Sequence, residues 1–521
     1  MPQKTEPMEK ASHGDAMGRP RRSSAKSKAK KTAAPEWDVV VMGTGMGGVS
    51  AGAISALHGL KTLILEKNPR PGGSLSYYEK RGFQMDIGTH LFTRCNKGPF
   101  GACTRRLGMG TPIEFRHTKK TTWVRGLNLD AVMATDPIGA IWFAVQAAYQ
   151  MRVPAVEIPN IVRLFRDILS MGEPEIAHWD GVSIDEFMRR YTDNVNVRSL
   201  VGFLLGLYFI LPTWEASAGE SIWCLQRMFQ DFNLGYPKGG AVAIPKAILK
   251  GAEAHGAQVR LKAGIEKIEI KDGKVQAVIL KGGERITTRA VVSTTSLKDT
   301  VFKIVGEEYF PAEYVEKARK IKGSMIAVQA KIALKKAVTD VGSVVGGTPL
   351  QFDRNHSDEV LQKAFLKLDQ GRVPDFVPIY APIPTNYDPS LAPEGCQIVT
   401  ACSVAPTLDV ELQDPSSRWI DSMMDSLYQM IPGLRENILF CDTFSVESIA
   451  GWIGKSSGAA VTTGQTPDQV GIRRPGHRTP IQGLYLAGDG AGARGVGTEL
   501  ACQSGMDCGD MVARDRANYL L

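Results

Sequence analysis

Gly43, Gly45 and Gly48 stand in a Gly-x-Gly-x-x-Gly spacing behind the apolar run Val39-Val40-Val41-Met42, and Glu66 closes a second apolar run, Leu63-Ile64-Leu65. Residues of these types break no bonds themselves; they hold a nucleotide. The glycines let a turn pass close to a pyrophosphate and open a helix whose first N–H groups face the phosphates, while a carboxylate at the end of the next strand accepts from a ribose hydroxyl. An acid at that place favours a free 2′-hydroxyl, so FAD or NAD suits the site better than NADP. Ala51, Gly52, Ala53 and Ala56 keep the intervening helix close to a sheet, and Gly59 marks its end.

The chain that positions these residues has 521 residues, 43% of them hydrophobic and 22% charged, which is material for a large core and more than one domain. Arg70-Pro71-Gly72-Gly73-Ser74 follows the carboxylate, and Gly82 to His90 follows that turn. Near the other end, Gly483-Leu484-Tyr485-Leu486-Ala487-Gly488-Asp489-Gly490 reads as a short buried strand entering a turn, with a helix behind it through Ala501, Ser504, Gly505 and Met506. In mid-chain the pattern predicts a helix over 244–254 and strands over 259–261, 265–270 and 275–280, with Asp272-Gly273 as a hairpin turn. Segments 140–145 and 161–169 carry apolar residues at helical spacing and are expected mostly in the core; 327–334 and 397–403 read as strands of a mixed sheet.

Composition closes off several functions. The net charge is +8, and the first 37 residues hold nine bases against four acids, so +5 of it lies there. This stretch is too polar to fold, and residues 1–34 are expected to be a disordered basic tail. Basic residues interleaved with aromatics on a folded face do not occur, so no nucleic-acid partner is expected. Eight scattered cysteines without a CxxC pair read as reduced residues of a cytoplasmic protein with no metal site. The longest apolar run, Leu200–Leu211, has 12 residues, short of the ~17 needed to span a bilayer. It is expected as a core helix, with a peripheral membrane contact, here or through the tail, as the alternative. Gly342 to Gly347 lacks the spacing for a second nucleotide turn, and no GxSxG elbow or Walker loop is present. Redox work therefore falls to the bound nucleotide.

With the fingerprint, Gly72-Gly73-Ser74, Asp86-x-Gly88-x-His90, Gly235-Tyr236-Pro237-Lys238-Gly239-Gly240 and Ala487-Gly488-Asp489 in this order, the chain resembles the phytoene desaturase-like FAD-dependent oxidoreductases from about Trp37 to its end. That family comprises carotenoid desaturases, carotenoid isomerases and retinol saturases. The resemblance implies an α/β fold: a Rossmann-type FAD-binding domain from 37–110, 235–294 and 470–521, interleaved with an α+β substrate domain from 111–234 and 295–469. It implies FAD, with Gly43, Gly45 and Gly48 at the pyrophosphate and Glu66 at the adenosine ribose. Gly72, Gly73 and Ser74 would lie along the diphosphate and ribityl chain, and the backbone at Ile265 would meet the adenine. Gly488 and Asp489 would hold the ribityl-phosphate end, and Gly495 and Val496 would border the isoalloxazine. The turn Gly490-Ala491-Gly492-Ala493-Arg494-Gly495 lacks a proline and histidine found in several carotenoid desaturases.

The implied activity is desaturation, saturation or isomerisation of carbon–carbon bonds in a lipophilic, polyene-like substrate, with a separate electron acceptor or donor. His90 and Glu499 are the acid–base candidates beside the isoalloxazine, facing one pocket, with Arg494 as electrostatic partner and an Arg494–Glu499 ion pair as the structural alternative. An amine oxidase-type flavoenzyme is the second reading, and a non-catalytic scaffold that retains FAD the third. The absence of an aromatic between Tyr485 and Tyr519 counts against the amine oxidase, which sets paired aromatics before its flavin. Glu66→Ala should weaken FAD retention about tenfold or more, the worth of one charge-assisted hydrogen bond. Flavin released on dilution measures it, and unchanged retention refutes the role.

Overall fold

The computed structural model describes residues 35–134, 136–353, 357–518 and 520. The tail expected at 1–34 lies outside them. Trp37–Met42 is a central strand of a seven-stranded sheet and is paired in parallel on both sides, with Val41 opposite Ile64 on Thr62–Leu65 and opposite Val292 on Arg285–Ser293. A strand covered on both faces has no wet side, which is why its sequence is a continuous valine run. The sheet runs Ile265–Lys271, Lys274–Leu280, Arg285–Ser293, Trp37–Met42, Thr62–Leu65, Gln258–Arg260, and Leu484–Leu486 pairs with Arg285–Ser293. Asp272 and Gly273, both at positive φ, make the expected two-residue hairpin between the first two.

The helix Met46–Leu57 packs on this sheet and, on its other side, against the C-terminal helix Gly497–Ala517. Small residues permit both contacts. A Cβ on Gly52 would lie 2.5 Å from Ile64 Cδ1, and one on Gly505 would lie 2.3 Å from the Gly47 carbonyl oxygen. Helices 452 residues apart in sequence are further joined by the Ser50 hydroxyl, which donates to Cys502 Sγ at 3.2 Å.

A second seven-stranded sheet runs Ile438–Phe444, Ile326–Leu334, Gln397–Ala405, Val377–Pro382, Ser343–Thr348, Lys120–Gly126, Leu129–Ala134. Together the two sheets and their helices make the chain α/β. The glycines at 342–347 belong to the buried strand Ser343–Thr348 and its approach. Ile326–Leu334 is buried at every residue and paired on both edges, so its odd-numbered side chains, Ala327, Gln329, Lys331 and Ala333, share one face.

Of the three apolar segments expected as core helices, the first agrees and the other two need correction. The run Leu200–Leu211 lies in the helix Val195–Phe209 and the turn after it, and Leu205, Phe209 and Leu211 are buried. The segment 140–145, expected in the core, lies in Pro137–Gln150, yet Ile141 is 66% and Trp142 60% exposed. Only the face with Phe143 and buried Ala147 rests on the strand pair 120–134. In Ile158–Ser170, Leu164 and Ile168 are buried while Val162 and Leu169 are exposed. Helical period alone cannot say which of two apolar stripes finds a partner. No helix among the described residues is long and apolar enough to cross a membrane, and the eight cysteines are free.

Gly505→Ala should destabilise by about 1–3 kcal/mol, because a methyl there must push two backbones apart. The control is Gly451→Ala, where the added atom meets nothing within 4 Å. Denaturant unfolding separates them; equal midpoints would show that the helix contact is loose.

Candidate active site

The strand Trp37–Met42 delivers the chain into Gly43, at φ +95°, and the helix that starts at Met46. A Cβ on Gly48 would stand 2.0 Å from the Gly43 carbonyl oxygen, and one on Gly47 2.7 Å from Gly488 Cα. Gly45 differs: a Cβ there meets nothing within 4 Å, so the turn opens onto free space in front of the helix. No side chain caps that helix and no acid stands in its first turn. Its unsatisfied N–H groups and positive dipole end suit a phosphate.

Glu66, 3% exposed, holds the turn together. Its Oε2 accepts from the Thr44 N–H at 2.9 Å and the Thr44 hydroxyl at 2.6 Å, and Oε1 accepts from the Asn68 N–H at 2.8 Å. Three bonds leave one of the carboxylate's four acceptor positions for a ribose hydroxyl. Thr44 Oγ1 in turn accepts from the Gly72 N–H at 3.1 Å, which fastens the second glycine turn to the first. Gly72 and Gly73 both have positive φ, and a Cβ on Gly73 would stand 3.0 Å from Gly45 Cα. Trp452, from a helix 379 residues further on, donates its indole N–H to the Gly73 carbonyl. These donors and openings fit a dinucleotide.

Across the cradle, Asp489 accepts from Thr462 N–H and Lys455 Nζ, each at 2.8 Å, while the Gly488 N–H is tied to Ser504 Oγ at 3.0 Å. Ile265 opens the strand Ile265–Lys271, and two residues before it the Ala263 N–H donates to the Glu66 carbonyl at 2.7 Å, so this strand begins next to Glu66. Gly495, at φ +120°, and Val496 lead into the uncapped N-terminus of Gly497–Ala517.

Ser74 passes the geometry on. Its carbonyl accepts from the Gly88 N–H at 2.9 Å and from His90 Nε2–H at 3.3 Å. Gly88 is required, since a Cβ there would stand 2.2 Å from His90 Nε2. Burial pushes the His90 pKa down to about 4, with the nearby Lys331 cation acting in the same direction, so this imidazole is neutral at pH 7. Lys331, fully buried on the strand next to the Ile438–Phe444 edge of the second sheet, donates to the Gly88 carbonyl at 3.2 Å and to Thr89 Oγ1 at 3.4 Å. Burial lowers its pKa to about 7 and raises that of Asp86, at the other end of the same motif, to about 7. Sequence reasoning missed Thr44 and Lys331. The signal for Lys331 was the polar pair Gln329 and Lys331 two residues apart in an otherwise apolar strand.

Two cavities meet this segment. The first, ≈ 1390 Å³ of empty space including open solvent, has Thr89, Cys402 and Tyr380 on its wall and is otherwise mainly apolar, with Leu211, Phe365, Leu368, Phe376 and Ile379. The second holds Thr93, Arg94, Trp223, Arg494, Val496 and Glu499. Arg494 and Glu499 thus share a wall, whereas His90 lines neither cavity. The expected Arg494–Glu499 pair does not form. Arg494 makes a bidentate bridge to Asp180 at 2.8 and 2.6 Å and reaches Glu220 at 3.1 Å; Glu499 pairs with Arg94 at 3.2 Å, and Arg94 also holds Asp231 at 2.7 Å. Burial raises the Glu499 carboxyl above its ordinary range, against the pull of Arg94.

A family model described as flavin containing amine oxidoreductase matches residues 47–510. Carrot (Daucus carota) prolycopene isomerase is 25% identical over 92% of this chain and 80% of its own length. Phytoene desaturase (lycopene-forming) of Pseudescherichia vulneris is 24% identical over 88% of this chain and 96% of its own. An oxidoreductase from Methanosarcina mazei shares the fold with a TM-score of 0.66 at 18% identity, over 90% of this chain and 99% of that one.

Lys331 yields a pH prediction with a definite sign. Its folded pKa lies below the unfolded value, so between about 7 and 10.5 the unfolded chain binds a proton that the folded chain does not. Stability from this group is therefore lowest below pH 7 and recovers as pH rises. Lys331→Met should stabilise the protein by a few kcal/mol near neutral pH, with the gain shrinking toward high pH. Unfolding curves across that range check it; a gain independent of pH would refute it.

Proposed function

The chain belongs to the flavin-containing amine oxidoreductase family, and on that premise we propose that it is an FAD-dependent oxidoreductase acting on carbon–carbon bonds of a lipophilic polyene, by desaturation, saturation or isomerisation. The observation that carries this reading is the apolar cavity that reaches Thr89, three residues from buried Asp86 and one from His90. Its one carboxylate, Asp185, is already paired with Arg189 at 2.8 Å and lies 3.5 Å from Arg198. An amine cation would find no free anion there, whereas a polyene needs none. The carotenoid-modifying relatives support the same substrate class.

We assign the FAD layer to the first sheet with its flanking helices and the substrate layer to the second. Gly43, Gly45, Gly48, Gly72, Gly73 and Ser74 would take the phosphates and ribityl chain, Glu66 the adenosine ribose, and Ile265 the adenine. Gly488, Asp489, Gly495 and Val496 would close the far side. When bound, FAD supplies hydride acceptance or donation. The apolar wall excludes water and aligns the substrate. His90, neutral and anchored on Ser74, and Glu499, its carboxyl raised by burial beside Arg94, are the groups that would hold or move a proton at Nε2 and Oε2. Arg494, anchored by Asp180 and Glu220, would fix the wall that carries Glu499. An electron acceptor or donor and a peripheral membrane contact complete the proposal.

Glu499→Gln leaves Arg94 with Asp231 and strands no charge, so the variant should retain flavin. His90→Ala and Glu499→Gln should each lower turnover by about 10²-fold if the residue serves as general acid or base. The assay is anaerobic flavin reduction, and polyene absorbance for redox-neutral change, with carotenes and primary amines as competing panels. Turnover confined to amines would reverse the substrate assignment, and full turnover in both flavin-replete variants would remove them from proton transfer.

A further inference from the structure

The helix Pro137–Gln150 contains no charged residue. One of its faces rests on the strand pair 120–134 through Phe143 and Ala147. The opposite face shows Ile138, Ile141, Trp142, Val145 and Tyr149, between 51% and 84% exposed. Spacing of three, four and four residues puts them on one stripe. The neighbouring helix Ile158–Ser170 adds Ile158, Val162 and Leu169, each at least 42% exposed, and Phe229 lies beside Phe165 of that helix at 47% exposure. A soluble surface rarely gathers so many large apolar side chains.

Within the two helices and the turn that joins them the exposed charges are one-sided. Between 137 and 170 the exposed charged residues are Arg152, Arg163 and Arg166. The acids there turn inward: Glu157 accepts from Thr192, and Asp167 accepts from Tyr191 and Arg166. Asp136, just outside, caps the helix by accepting from the Gly139 N–H. Trp142 and Tyr149 at the stripe and arginines at its border suit the headgroup layer of a membrane.

The patch also adjoins the substrate route. Asn196 donates to the Met151 carbonyl between the two helices, and Arg163 stands 5.6 Å over the Tyr191 ring. Segment 191–198 so fastened contains Arg198 and adjoins Arg189 and Ser199 in the chain; all three line the apolar cavity, and the Arg189 side chain is half exposed. We infer that the helices Pro137–Gln150 and Ile158–Ser170 lie in the interfacial layer of an anionic bilayer, inserted by about 5–10 Å, with the mouth of the apolar cavity beside them. The inference rests on the proposed lipophilic substrate only for the use of that mouth.

The test is sedimentation of the full-length holoprotein with phosphatidylcholine vesicles containing phosphatidylglycerol, with no substrate present, so vesicle binding is read independently of the polyene chemistry. Wild type should bind. Ile141→Glu/Trp142→Glu should lower the partition coefficient by about tenfold or more, from the transfer free energy of two large side chains. Flavin content and turnover of detergent-dispersed substrate should be unchanged. Leu439→Glu changes a 45% exposed residue on the opposite edge strand of the second sheet and should bind as wild type does. Failure of the wild type to bind, equal binding by the double variant, or loss in that variant of a dimer with vesicle binding intact would each overturn the inference.

Discussion

The first turn of the helix Met46–Leu57 has backbone against it on three sides. Gly47 meets Gly488, Gly48 meets the Gly43 carbonyl, and the Gly47 carbonyl meets Gly505, each closer than a side chain allows. This approach locks a segment near residue 490 to one near residue 45, and everything that faces the cofactor is placed from it. One line of contacts runs from Thr44 through Glu66 and Gly72 to Ser74, then to Gly88 and His90, and ends at Lys331 in the second sheet. Another runs from Gly488 to Asp489 and out to Thr462 and Lys455. The cradle and the cavity wall are thus one connected structure, which is how a binding fingerprint can fix the position of a reaction site.

The electrostatics divide the space around that wall. The helix Val195–Phe209 and the turn after it separate two cavities, with Tyr208 on one and Gly206 and Ile210 on the other. The side with Glu499 is built of partly buried ion pairs, Arg94 with Asp231 and Glu499, and Arg494 with Asp180 and Glu220. Such pairs stabilise little for their desolvation cost but hold side chains in fixed positions. The side with Phe376 is mainly apolar, its charges confined to Asp185, Arg189 and Arg198, where the carboxylate lies against both arginines. An apolar substrate and the Glu499 carboxyl can therefore approach the same segment, 89–96, from different directions without sharing a solvent.

Much of this was legible in the sequence where local chemistry decided it. The glycines at 43 and 48 were recognisable because positive φ at the first and backbone approach at the second tolerate no substitute, and the hairpin at Asp272-Gly273 because positive φ selects those residues. The strands expected at 327–334 and 397–403 match Ile326–Leu334 and Gln397–Ala405. What escaped depended on partners far away in the chain. Thr44 occupies a variable place in the fingerprint and acquires its role only when Glu66 folds against it. Lys331 looks like a strand residue until the sheet carries it under Gly88. Glu499 pairs with Arg94 and not Arg494, whose guanidinium is held by Asp180 and Glu220, residues 314 and 274 positions away in the chain. Ile141 and Trp142 carry the pattern of a core helix, and only the tertiary packing leaves their stripe uncovered.

The central claim is that the cavity bounded by Thr89 and Phe376 holds the substrate's carbon chain against the cofactor that the glycine cradle binds. A crystal structure of the FAD-loaded protein with an unreactive polyene analogue tests it most directly. The account predicts FAD with its pyrophosphate at Gly45 and polyene density running along Phe376, Leu368 and Ile379 to Thr89. Density confined to the Arg94–Glu499 cavity, with the apolar one empty, would contradict it.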